Sequence, residues 1–93
     1  MEQSAVREAA DRIRHMELCF DALQAAAAVN PAAICADAFL QELLRILTRY
    51  YEGGQWLHDY ELDEKGLLPQ SLKRGVLAQD AVYNFLDRIK HIG

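Results

Sequence analysis

Val6, Ala9, Ile13, Met16, Phe20, Leu23 and Ala27 follow one another at spacings of three and four without a break. A seam of this kind, sustained over several turns, marks a helix that packs along one edge. Neither Gly nor Pro interrupts the chain before Pro31, and Ala, Leu, Arg, Glu and Gln fill most other positions. All five are good helix formers. The spacing predicts a helix over residues 3–28, roughly 39 Å long at about 1.5 Å per residue. A compact globule of this chain length is only about 32 Å across. The expected molecule is an elongated bundle rather than a ball.

Asn30-Pro31 ends the seam, and the pair suits the N-cap and first residue of a second helix. That helix is predicted from Pro31 to about Glu52, stopped by Gly53-Gly54. Phe39, Leu40, Leu43, Leu44, Ile46, Leu47, Tyr50 and Tyr51 give it two adjacent apolar stripes, so it should touch more than one neighbour. The short link makes the first two helices an antiparallel hairpin. Residues 53–77 read as irregular, with room for a short helix within Gln55–Lys65 ended by Gly66. Pro69 and Gly75 mark turns. A last helix is expected from about Gln79 to His91, with Val82, Phe85, Leu86 and Ile89 on its apolar face and Ala78 in the N-cap position. The fold class is all-α, a single helical domain over residues 1–93.

Charge and composition narrow the function classes. The chain is 52% hydrophobic and 26% charged, a globular rather than disordered balance. A net charge of −4 argues against a nucleic-acid partner. No apolar run approaches the ~18 residues of a membrane span, and Met1–His15 lacks the apolar centre of a signal peptide. The expectation is a cytoplasmic protein with neither nucleic acid nor membrane as partner. The acidic surplus is concentrated in residues 52–65, which carry five carboxylates and one lysine.

The stretch from Tyr50 to Leu86, YYEGGQWLHDYELDEKGLLPQSLKRGVLAQDAVYNFL, is the distinctive part of the chain. It resembles a family of small bacterial helical proteins known only as a domain of unknown function. That family is similar in its Tyr-Tyr, Trp-Leu, Asp-Tyr-Glu, Leu-Pro and Leu-Lys-Arg-Gly-Val-Leu segments and in an Asp plus aromatic of the final helix. The chain departs from it at Gly53 and Ala78, where serines are expected, and at His58, where a basic residue is expected. The resemblance implies an all-helical single domain and carries no activity.

Candidate chemistry is sparse. His58, Asp59, Glu61, Asp63 and Glu64 are the one concentration of metal-type ligands. Asp59, Glu61 and Asp63 have the one-three-five spacing of a calcium loop. Glu64 then stands where that loop needs glycine, and Gln70 stands where it needs a bidentate carboxylate. His58 and Glu61 would share a helix face, but carboxylate-bridged metal sites need such a pair twice. The cluster reads as a solvated face, or as a salt-bridge partner of Lys73 and Arg74. Lys73-Arg74-Gly75 could hold an anion, although no Gly-rich phosphate loop surrounds it. Cys19 and Cys35 fall too far apart across the hairpin to pair, and both read as small packing residues. Ser4 and Ser71 sit in no nucleophile motif. Tyr50, Tyr51, Trp56, Tyr60, Tyr83 and Phe85 form either a second small core or the lining of a pocket, and the acidic surroundings favour the core.

No residue pattern assigns a reaction, and no cofactor, metal or catalytic residue is expected. The reading that best fits is a non-enzymatic protein-interaction or accessory module, with self-association through helix 1 as one way to cover its seam. The candidate surface comprises Trp56, Tyr60, Asp59, Glu61, Lys73 and Arg74. The alternative is a small-molecule or metal-dependent binder or enzyme built on segment 56–64.

Overall fold

The first helix, α1 (Glu2–Val29), has 28 residues and sets the length of the molecule. At about 1.5 Å per residue it runs roughly 42 Å, and the longest extent of the computed structural model is 42 Å, against 22 and 21 Å across. The model describes residues 2–78 and 80–91. The elongated all-α form expected from the seam is the form observed, and every described element is helical.

The α1 seam lies in the core. Ala9, Ile13, Met16, Phe20, Leu23 and Ala27 are all buried, and Val6 is packed at its edge. Ala10, Glu17 and Cys19 are buried beside them, so the inward face is wider than a two-stranded seam needs. Helix α3 (Ala38–Glu52), helix α4 (Gln55–Glu64) and a 3-10 turn (Gly75–Leu77) all pack against it. The seam that suggested self-association through helix 1 is therefore spent on the chain's own core.

The predicted second helix is two helices. The chain forms α2 (Ala32–Ala36), leaves helical geometry at Asp37 (φ −97°, ψ 123°) and starts again as α3. Asp37 caps α3 by accepting the Leu40 amide at 3.0 Å, and Gln41 Nε2 donates to the Ile34 carbonyl at 2.6 Å, occupying an orphan acceptor of α2. Asn30 does cap the first piece, its Oδ1 accepting the Ala32 amide at 3.2 Å. The break turns Ile34 fully into the core.

Gly53 and Gly54 end α3 as expected. The Gly53 amide donates to the Arg49 carbonyl at 2.8 Å, and Gly54 takes φ +97°, open to glycine at little cost. Helix α4 then fills the Gln55–Lys65 segment. Gly66 ends it at φ +71°, with the Leu67 amide reaching the Leu62 carbonyl at 3.1 Å in a Schellman closure.

The last helix, α5 (Ala81–Lys90), starts later than expected. Ala78 is extended (φ −60°, ψ 130°) and is not the N-cap. Asp80 is, at φ +74° and with no side-chain capping bond; Gln79, the predicted start, lies outside the described residues. Val82, Phe85 and Ile89 are buried, and Phe85 meets Phe20 edge-on with ring centroids 5.5 Å apart.

Candidate functional site

Helix α4 lies across α1 and α3 with Asp59 on its inner face, and Asp59 is completely buried. An isolated carboxylate there would be very costly. Three groups reach it instead. Arg12 Nε, from α1, donates to Oδ2 at 2.9 Å, and a second guanidinium nitrogen donates to Oδ1, completing a fork. Tyr50 Oη, from α3, donates to Oδ2 at 2.8 Å. His58 Nδ1 stands 3.4 Å from Oδ1 with its ring largely in solvent. Hydrogen bonding to Asp59 raises the Arg12 guanidinium's pKa, and burial followed by the same carboxylate pushes the Tyr50 hydroxyl well above its ordinary value.

A second clamp sits farther along α1. The Glu17 side chain is buried, and its Oε1 accepts the Val76 amide. Trp56 Nε1 donates to the Val76 carbonyl at 2.8 Å. One residue of the 3-10 turn, Val76, is thus held through both its backbone groups, by α1 and by α4. Gly75 lies directly over the carboxylate, where a Cβ would stand 3.3 Å from Glu17 Oε1. Lys73 donates to Asp21 at 2.6 Å and stands 3.8 Å from Glu17 Oε2. Arg74 donates to Asp63 at 2.5 Å and to the Pro69 and Leu72 carbonyls at 2.5 and 3.2 Å.

These clamps take Asp59 out of the candidate surface and give Lys73 and Arg74 their partners. Asp59 is enclosed rather than solvated, so it is no surface ligand, and its cation is Arg12 rather than Lys73 or Arg74. Arg74 does pair with the acidic segment, through Asp63, while Lys73 turns to α1. Asp59, Glu61 and Asp63 lie on a helix, not in a loop, and two of the three are engaged by arginines. Among the described residues, no three His, Cys, Asp or Glu side chains gather as a metal site, and no buried side-chain nitrogen or oxygen lacks a partner. Trp56 and Tyr60 are half-buried and stacked, with centroids 5.1 Å apart, and Tyr51 meets Trp56 edge-on at 5.2 Å. Glu61 is exposed. Cys19 is buried, which pushes its thiol pKa up; Cys35 is exposed, contrary to the packing role expected of it, and both are free.

Sequence reasoning missed the Arg12–Asp59–Tyr50 clamp and one surface feature. Arg12 and Asp59 are 47 positions apart, and the available signal was an aspartate on the same α4 face as Trp56 and Leu62. The surface feature is a groove of about 480 Å³ between α3 and α5. Leu44, Tyr51, Leu86 and Tyr83 form its apolar part, with Glu52, Asp87 and Lys90 among its charged lining.

A family model described as "Domain of unknown function (DUF4298)" matches residues 13–92 of the chain. No curated protein and no solved structure matches it.

Proposed function

The chain belongs to the DUF4298 family, a domain of unknown function, and we propose that it serves as a non-enzymatic, cytoplasmic protein-interaction module. The observation that supports this reading is the contrast between its charged interior and its apolar groove. The buried carboxylates are occupied in holding elements together: Asp59 joins α4 to α1 and α3, and Glu17 joins α1 to the 3-10 turn. A carboxylate tied by a guanidinium fork and a tyrosine hydroxyl is a poor general base and has no open position for a ligand. The groove between α3 and α5, by contrast, keeps apolar side chains partly exposed at a site framed by two helices. A surface of that kind is suited to another protein.

Self-association through the α1 seam is not part of this reading, because the seam is buried under α3, α4 and the 3-10 turn. The test is affinity purification of the intact chain from its native cytosol, with quantitative mass spectrometry of the eluate and native mass spectrometry of the chain. Recovery of one protein in stoichiometric amount is expected. A chain that elutes alone but retains a small molecule would overturn the proposal in favour of a binder or enzyme.

A further inference from the structure

We propose that the groove between α3 and α5 docks a basic amphipathic helix of another protein. The proposal rests on the interaction-module reading and names the chemistry of the partner.

The groove exists because α5 takes its position from elements other than α3. Phe85 packs on Phe20 of α1, and the 3-10 turn packs along α5. Helix α3 meanwhile turns Leu47 and Tyr50 into the core. Each helix has a second, partly apolar side left over, and the two sides face one trough. Leu44, Tyr51 and Leu86 are half-buried there, and Tyr83 is 54% exposed. A trough between two helices with an apolar floor is the form that accepts a third helix through anchors at i, i+3 or i+4 and i+7. Beyond Tyr51 the aromatic edge continues onto α4 through Trp56 and Tyr60.

Charge selects the occupant. Glu52 and Asp87 outnumber Lys90 among the charged groups that line the groove. The chain as a whole carries −4. A second copy would bring the same charge and the same acidic rim, which disfavours it as the occupant. A helix flanked by Lys or Arg would pair with Glu52 and Asp87, and its cations would rest on the exposed Tyr83 ring.

The test is selection from a displayed library of short helical peptides of free composition. It is run on the full wild-type chain, on Tyr83→Asp and on the double charge reversal Glu52→Lys with Asp87→Lys. Circular dichroism checks that each variant is folded, as expected for changes at exposed positions. Wild type should enrich peptides with an apolar stripe and Lys/Arg flanks, bound less tightly as salt rises. The best of these should bind Tyr83→Asp at least about tenfold more weakly, and the double reversal should select acidic flanks. Peptides that bind Tyr83→Asp equally well would overturn the groove while leaving an interaction module standing. Acidic or uncharged peptides enriched on wild type would overturn the partner chemistry alone. No enrichment on any chain would overturn both this inference and the module reading. A wild-type dimer in sedimentation that Tyr83→Asp dissolves would replace the foreign helix with a second copy.

Discussion

Where Arg12, Asp59 and Tyr50 meet, a buried carboxylate and hydroxyl and a half-buried guanidinium each have a partner; between α3 and α5, apolar side chains are left partly in water. The two regions invert the usual division of inside and outside. A carboxylate in the core stabilises little by itself, because desolvation offsets much of the attraction. Its effect is to fix geometry: the fork from Arg12 and the hydroxyl from Tyr50 admit one placement of α4 over α1 and α3. The groove is lined instead by half-buried Leu44, Tyr51 and Leu86 and by exposed Tyr83. The clamps tie helices together, and the groove is where the proposed partner would dock.

The sharpest way to break that comparison is to remove the central carboxylate. Asp59→Ala leaves the Tyr50 hydroxyl and most of the Arg12 guanidinium without a partner, and should cost about 3–5 kcal/mol in a denaturant melt. Adding Arg12→Met and Tyr50→Phe to the same chain should recover much of the loss, since an apolar replacement of a whole buried pair is often neutral. If Asp59→Ala melts like wild type, the clamp is not structural and Asp59 becomes a functional candidate again.

Trp56→Ala comes next. It removes a half-buried ring, the stack with Tyr51 and Tyr60, and the donor to the Val76 carbonyl. A loss of about 3 kcal/mol is expected. Wild-type tryptophan emission should be blue-shifted and resist iodide. Red, easily quenched emission together with an unchanged melt would move Trp56 from the framework to the binding surface.

How much of this the sequence disclosed follows from the range of each interaction. The α1 seam, the Gly53-Gly54 stop and the Gly66 stop are local, because periodicity and positive-φ glycines act within a few residues. Segment 55–65 was legible only as room for a short helix within a stretch read as irregular, because its apolar positions are few. Asp37 was missed because Ala38, Phe39 and Leu40 continue the apolar pattern across it, so an N-cap looked like an interior polar residue. Asp80 was missed because a non-glycine residue at positive φ is uncommon and has no sequence signature of its own. The pairing of Arg12 with Asp59 depends on how α4 crosses α1, and the groove depends on where α5 settles. Neither is encoded in any single window, so the acidic cluster was read as a solvated face or salt-bridge partner when Asp59 within it is fully enclosed.

Gly75 sharpens the second clamp. A methyl group there would sit 3.3 Å from Glu17 Oε1, which also accepts the Val76 amide. Gly75→Ala must push the carboxylate away from that amide or lift the turn, and should cost about 1–3 kcal/mol. Gly75→Ala in a Glu17→Ala background should cost less, since the obstructing carboxylate is gone. Equal costs in the two backgrounds would place the strain in the backbone instead.

The clamp also sets an alkaline limit. Tyr50 has a folded pKa above its unfolded value of about 10, and buried Cys19 has one above its ordinary value of about 9. For a raised pKa the contribution to stability is whole below the unfolded value and is lost as pH rises toward the folded one. Stability should therefore hold through neutral pH and begin to fall at pH 9–10. Each group adds a slope of up to about 1.4 kcal/mol per pH unit. Cys19→Ala should remove the earlier part of the fall and leave the later part. A flat profile to pH 11 in urea melts would mean that Tyr50 ionises without disturbing the fold.

The smallest effect concerns the start of α5, and its value is that two placements of the N-cap predict different outcomes. With Ala78 as the cap, serine in its place would accept an orphan amide and stabilise by about 0.5–2 kcal/mol. In the structure Ala78 is exposed and extended, its carbonyl accepts the Ala81 amide at 3.1 Å, and the helix begins after Asp80. A hydroxyl at residue 78 is then a turn substituent rather than a cap, and Ala78→Ser should stay within about 0.5 kcal/mol of wild type. Asp80→Asn should retain a residue type that tolerates the left-handed conformation while removing charge from the N-terminal end of the helix dipole, for a small loss of about 0.3–1 kcal/mol at low salt. A clear gain from Ala78→Ser, with no response at Asp80, would move the cap back two residues and extend the buried face of α5 by half a turn.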